Sequence, residues 1–214
     1  MVIDAGHNGG NAAHAAEINP PVDAVTLKKP CDTTGTATDD GYTEATYNFD
    51  LSQRVADVLR GDGIQVVVTR TSNSGWGPCI TERAAIANRL GAAVAISIHA
   101  DGGPAGGRGF HVIQPALIPG HTEGIVEPSR RLALDMRAAY QAGTGMPFAT
   151  YIGRQGLDVR SDLGGLNLSK VPKVFIETGN MRNASDARLL EDPSFRARAA
   201  RALASGLESF LLGT

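Results

Sequence analysis

The stretch VAISIHAD, residues 94–101, is a short β-branched apolar run that closes on a histidine and an acidic residue. A near-continuous apolar run of this length suits a strand buried on both faces, in a parallel or mixed sheet covered by helices. Its histidine falls at the carboxyl end, where such sheets collect ligands. Four more runs share this character, at residues 2–3, 64–69, 110–113 and 174–176, and helical patterns fall between them at 44–60, 81–90, 128–141 and 186–212. Strand and helix in alternation predict an α/β sandwich whose mostly parallel or mixed central sheet is flanked by helices. The first helix has the clearest period: Leu51, Val55, Val58 and Leu59 form one stripe, Asn48 and Glu44 extend it to the N-terminus, and Gly61-Asp62-Gly63 stops it.

A chain of 214 residues with 42% hydrophobic residues buries a sizeable core, and no linker or internal repeat divides it, so residues 1–214 read as a single domain. The formal net charge of −2, with both signs interspersed, argues against a nucleic-acid or anionic-bilayer partner. No apolar stretch approaches the ~20 residues of a membrane span. The first residues lack a charged segment followed by an apolar one, so a signal peptide is expected to be absent from this chain. A monomer is expected.

Cys31 and Cys79 are the only cysteines. Two cysteines taken alone read more readily as free thiols. Both, however, sit in polar, loop-like surroundings, KKPCDTTG and GWGPCITE, rather than in the apolar runs where free structural thiols hide. The reading is therefore a Cys31–Cys79 disulfide and an extracytoplasmic address, in periplasm or cell wall. Residues 8–43, rich in Gly, Pro, Thr and Asp, form a long excursion without period. Loops of that length are unusual unless functional or tethered, and Cys31 supplies a tether.

His7 at the end of VIDAGH, Glu44 at the head of the first helix and His99 are candidate ligands for one Zn²⁺. Two imidazoles and a carboxylate leave a coordination position open, which distinguishes a catalytic zinc from a closed structural one. Glu177, in PKVFIETGN at 172–180, follows a buried run where an ionised carboxylate needs a partner, and reads as a non-ligand carboxylate that a nearby dication would partner. Each residue by itself has a plainer explanation: a histidine after a strand is ordinarily just satisfied or exposed, and Glu44 alone is a favourable helix N-terminal charge. His14 and His121 fall in polar loops, and His111 follows Phe110 in a strand and faces the opposite side, so none reads as a ligand. Ser97 lacks the base and acid of a hydrolase triad. Gly102-Gly103 and Gly106-Gly107 lack the pattern of a phosphate loop. Arg70 and Arg83 read as members of structural ion pairs.

Taken in order, these motifs resemble the zinc-dependent N-acetylmuramoyl-L-alanine amidases (amidase type 3), nearest to the single-domain mycobacterial type. The likeness runs through VIDAGH, Glu44 with Asn48 and Leu51, VVVTR at 66–70, Arg83, Ala87-Asn88, SIHAD at 97–101, Leu166, the segment 172–177 and Asn183. It implies zinc on His7, Glu44 and His99, a catalytic Glu177, and hydrolysis of the amide between N-acetylmuramic acid and L-alanine in peptidoglycan or its fragments, the muramyl peptides. The chain departs from the family pattern at Ala5, where proline is usual, at Asn8, where glycine is, and at Asn180, where an aromatic residue is. These departures spare the metal ligands and bear on substrate contacts. Two alternatives remain at this point: a zinc peptidase cutting within the stem peptide, and a non-catalytic muropeptide-binding domain, for which Glu177 has no use. Some relatives carry an inserted helix that plugs the site; between residues 102 and 173 the pattern leaves room for one helix only.

Overall fold

The computed structural model describes residues 1–213. The chain begins with β1 (Val2–Ala5), then makes its excursion through a 3-10 turn (Asn11–Ala13), α1 (Ala15–Ile18) and a small hairpin of β2 (Pro21–Asp23) and β3 (Lys28–Pro30). There follow α2 (Glu44–Gly61), β4 (Val67–Val68), α3 (Ile80–Arg89), β5 (Ala95–Asp101), β6 (His111–Pro115), α4 (Glu123–Thr144), β7 (Leu157–Arg160), α5 (Gly164–Asn167), β8 (Lys173–Asn180), α6 (Ala184–Glu191) and α7 (Pro193–Leu212). The main sheet has six strands in the order β4-β1-β5-β8-β6-β7. All neighbours run parallel except β6 and β8, which are antiparallel, so the sheet is mixed as the apolar runs predict.

Period-two alternation gives the two faces different chemistry. Ile3, Ile96, Ile98, Val174 and Ile176 point into the main core, where Leu51, Val55 and Leu59 of α2, Leu132 and Met136 of α4, and Leu203 and Leu207 of α7 meet them. Each such side chain contributes about 1.5–3 kcal/mol on full burial, so this face supplies most of the hydrophobic stabilisation. Asp4, Ser97 and Phe175, aligned in register across β1, β5 and β8, point the other way. That second face packs α3 near Val2, Ala87, Ala95 and Val171, and beside this patch it carries Asp4, Ser97 and His99 together with Phe175.

Several local boundaries differ from the sequence pattern. The run at 64–69 pairs only at Val67–Val68, because Ile64 and Val66 pack onto the core without joining the ladder. The helix expected from Pro128 begins about five residues earlier, at Glu123, so Pro128 lies inside it and its ring removes one backbone hydrogen bond from the ladder. Gly145, at φ 70°, ends that helix. The single helix expected at 186–212 is two, since Asp192 accepts from the Ser194 amide and Pro193 opens a new first turn. The excursion at 8–43 holds the hairpin and short turns, and β7 and α5 had no period strong enough to announce them.

Candidate active site

His7, Glu44, His99 and Glu177 converge at the carboxyl ends of β1, β5 and β8. His99 and Glu177 lie directly opposite each other in the parallel register of β5 and β8. His7 lies just beyond β1 with φ 57°, a left-handed conformation that histidine adopts more readily than bulkier residues. Glu44 arrives from the other layer: Thr43 caps α2 through its hydroxyl, and the first helical residue then overhangs the sheet edge.

One ligand atom from each of His7, Glu44 and His99 lies within 4.8 Å of the others. Glu44 Oε1 is 3.2 Å from His7 Nε2 and 2.9 Å from His99 Nδ1. The outward ring nitrogens are oriented from behind, as in built metal sites. His7 Nδ1 is 2.9 Å from the Thr33 carbonyl, and His99 Nε2 is 3.2 Å from Ser97 Oγ, which donates to Asp4 Oδ2 at 2.9 Å. Glu44 accepts from Asn48 Nδ2 and from the Thr36 amide. Two glycines let the chain close on this cluster. A Cβ at Gly6 would meet the His99 ring at 2.2 Å, and one at Gly35, whose φ is +73°, would meet Glu44 Oε2 at 2.6 Å.

The electrostatics separate the two glutamates. Burial raises the Glu44 carboxyl, but the His7 and His99 imidazoles overcome it and hold it well below the usual carboxylate range. Glu177 is pushed well above that range by burial and then by the Glu44 and Asp101 charges. The depressed carboxyl suits a group facing a cation, and the raised one a group that gains a proton. At His7, burial lowers the pKa, yet Glu44 and Asp32 prevail and raise it to about 10. Such a carboxylate-rich setting favours a cation at Nε2, whether proton or dication. Glu177 Oε2 is buried with no hydrogen-bond partner among the described residues. A compact two-imidazole, one-carboxylate donor set with oriented rings fits a zinc ion.

Beside the ligand rings a cavity of about 150 Å³ is lined by Gly6, His7, Ile80, His99, Leu163 and Phe175, and the Phe175 ring stacks on His99 at 5.2 Å. Its outer wall is the excursion, pinned where a disulfide joins Cys31 to Cys79 with their Cα atoms 4.4 Å apart. Arg83 pairs with Asp4 and Asp32. The ion pair expected for Arg70 is replaced by bonds to the Ala5, Gly6, Ala45 and Ser72 carbonyls and to Asn73 Oδ1; among the described residues it makes no salt bridge, because the nearby loop offers carbonyls instead.

Of the histidines set aside, His14 sits at the surface beside Glu17 and Trp76, and His121 is exposed in a loop. His111 is different: it is buried and stands across from Glu177 in the register of β6 and β8. Sequence reasoning set His111 aside because antiparallel pairing of β6 cannot be read from strand runs alone, and it passed over Asp4 and Tyr151 because their partners lie on distant segments. Asn180, in the family's aromatic position, donates to the Pro104 and Gly107 carbonyls and so fastens the loop after β5.

The sequence profile of the N-acetylmuramoyl-L-alanine amidase family matches residues 1–209. The chain is 42% identical over 211 residues to the N-acetylmuramoyl-L-alanine amidase Rv3717 of Mycobacterium tuberculosis, covering 99% of this chain and 86% of that protein. The fold superposes on the crystal structure of the amidase Ami1 from Mycobacterium smegmatis with a TM-score of 0.93 at 42% identity, covering 100% of this chain and 96% of that one. For the apo form of Ami1 from Mycobacterium abscessus the TM-score is 0.91 at 43% identity, covering 98% and 97%. The motifs, the fold and these likenesses agree, and the chain belongs to the N-acetylmuramoyl-L-alanine amidase family as a hydrolase of the bond between N-acetylmuramic acid and L-alanine.

Proposed function

We propose that this amidase depends on one zinc ion held by His7 Nε2, His99 Nδ1 and the Glu44 carboxylate, with Glu177 as its general base. The observation that carries the reading is the meeting of three ligand atoms within 4.8 Å beside a carboxylate whose Oε2 has no partner. When bound, zinc polarises the scissile carbonyl and acidifies a neighbouring water. Glu177 takes a proton from the attacking water and passes it to the alanine nitrogen as the amide breaks. Phe175 stacks on the His99 ring and, with Ser97, resists its rotation.

The expected substrates are muramyl peptides released from peptidoglycan. The disulfide supports an extracytoplasmic site of action, since such bonds persist in oxidising compartments. Exposed large apolar side chains such as Leu27, Trp76, Leu90 and Leu117 are scattered over separate elements, which supports a monomer.

The test pairs metal analysis with mass spectrometry of a muramyl-peptide digest. Glu177→Ala is expected to keep near-stoichiometric zinc and lose roughly 10²–10⁴-fold in kcat, whereas His99→Ala loses both. Products cut within the stem peptide, or a Glu177→Ala protein that sheds zinc as His99→Ala does, would overturn the assignment.

A further inference from the structure

His111 stands directly opposite Glu177 where β6 and β8 run antiparallel. Residues so placed share a face, with Cβ atoms about 4.5–5.5 Å apart. His111 is 1% exposed, and its Nδ1 is buried with no hydrogen-bond partner among the described residues. Glu177 Oε2 is buried and unpartnered as well. Two neighbouring side chains thus each bury one unsatisfied polar atom, a costly arrangement that native proteins rarely keep without use.

The surroundings of His111 leave it little else to do. The Tyr151 ring meets it edge-on at 6.3 Å between centroids, and the Tyr151 hydroxyl donates to Asp101 Oδ2 at 3.0 Å. Tyr151 is itself wedged against the loop after β5, for a Cβ at Gly103 or Gly107 would strike its ring at 2.5 Å or 2.6 Å. The other charged groups facing His111 are Asp158 and Arg160, the latter committed to Asp162. Burial lowers the His111 pKa, so the ring is neutral at pH 7 and has one N–H to give.

We infer that His111 is a positioning residue for Glu177, its Nδ1–H holding carboxyl oxygen Oε2 so that the other oxygen stays turned to the attacking water. The inference rests on the proposed role of Glu177 as base. The terminal torsion of a glutamate is broad and two-fold, so an unheld carboxyl samples many orientations. Catalytic hydrogen bonds are commonly long in sites without substrate and tighten in the reacting complex. A misplacement of about 1 Å at such a site costs as much as about 10²-fold in rate.

Long-range ¹H–¹⁵N NMR of the zinc-loaded wild-type protein at pH 7 is expected to show His111 as the Nδ1–H tautomer. Kinetics on muramyl dipeptide are expected to show His111→Ala losing up to about 10²-fold in kcat with KM and zinc content unchanged. His111→Asn, whose amide nitrogen overlies Nδ1, restores much of that loss, and His111→Gln, which overlies Nε2, does not. An Nε2–H tautomer overturns the inference even where variants fail to fold. So does wild-type kcat in His111→Ala, equal rates for the Asn and Gln variants, or a kcat loss that tracks lost zinc or lost folded protein. A Glu177→Ala enzyme that stays active would instead defeat the base assignment, and the tautomer remains readable in either case.

Discussion

The Arg83 guanidinium lies 2.8 Å from the Asp4 carboxylate, and both side chains are buried. Lys173 Nζ approaches the same carboxylate at 3.4 Å, and Thr69 and Ser97 donate to it. Burial alone raises the Asp4 carboxyl, but Lys173 and Arg83 overcome it and hold it far below the usual range. Removing one partner of a buried pair strands the other charge, so Asp4→Ala is expected to cost about 3–5 kcal/mol, measured by urea unfolding.

Because the folded-state pKa of Asp4 is depressed, its contribution is complete above the unfolded value of about 3.9 and is lost as pH falls below it. The urea midpoint of the wild type should therefore drop steeply on acidification from pH 5 towards the acid limit. Asp4→Asn should start lower and show a flatter dependence. Equal acid slopes for the two proteins would show that Asp4 does not drive the transition.

Ser97 joins Asp4 to the ring nitrogen of His99 that faces away from the ligand cluster. Partners of this kind typically govern metal affinity by about 10–100-fold. Ser97→Ala is expected to weaken zinc binding by that factor, read by competition with a chromophoric chelator, while far-UV circular dichroism stays unchanged.

Gly35 takes φ +73° with Glu44 Oε2 and His7 Cδ2 at 2.6 Å and 2.8 Å from a would-be Cβ. Gly35→Ala adds backbone strain of about 1–3 kcal/mol and pushes the His7 and Glu44 side chains apart. Zinc affinity is expected to fall more than for a Gly41→Ala control, whose position also has positive φ but nothing within 4 Å.

The Cys31–Cys79 bond closes a loop of 48 residues. In the chain-entropy account a loop of that size is worth about 4 kcal/mol. Asp32 and Thr33, next to Cys31, touch His7, so Cys31→Ser/Cys79→Ser should lower both the thermal midpoint and zinc affinity. A double variant that loses stability yet keeps its zinc dissociation constant would separate the tether from the site.

The central sheet and the α2 stripe were legible in the sequence because both express local hydrophobic patterning, and so were the places of His7 and His99 at strand ends and of Glu44 at the head of α2. What stayed hidden depends on contacts between distant segments. His111 reads as a spare strand histidine until β6 is placed antiparallel to β8. Arg70 reads as an ion-pairing residue until the loop carbonyls around it are seen. The break at Asp192 was the exception, since Asp-Pro is a local start signal that the apolar periodicity on both sides obscured.

β8, the last strand in the sequence, is inserted between β5 and β6 and does not add at an edge. During synthesis, a chain that has already made His7, Glu44 and His99 still lacks the strand that carries Glu177. Until that strand docks, β5 and β6 have no common neighbour, and pairings across such sequence distances form slowly. A nascent chain that ends before residue 173 therefore has neither a continuous sheet nor Glu177. For an enzyme whose target is the wall of a cell, completion of folding is itself the point at which hydrolytic capacity begins.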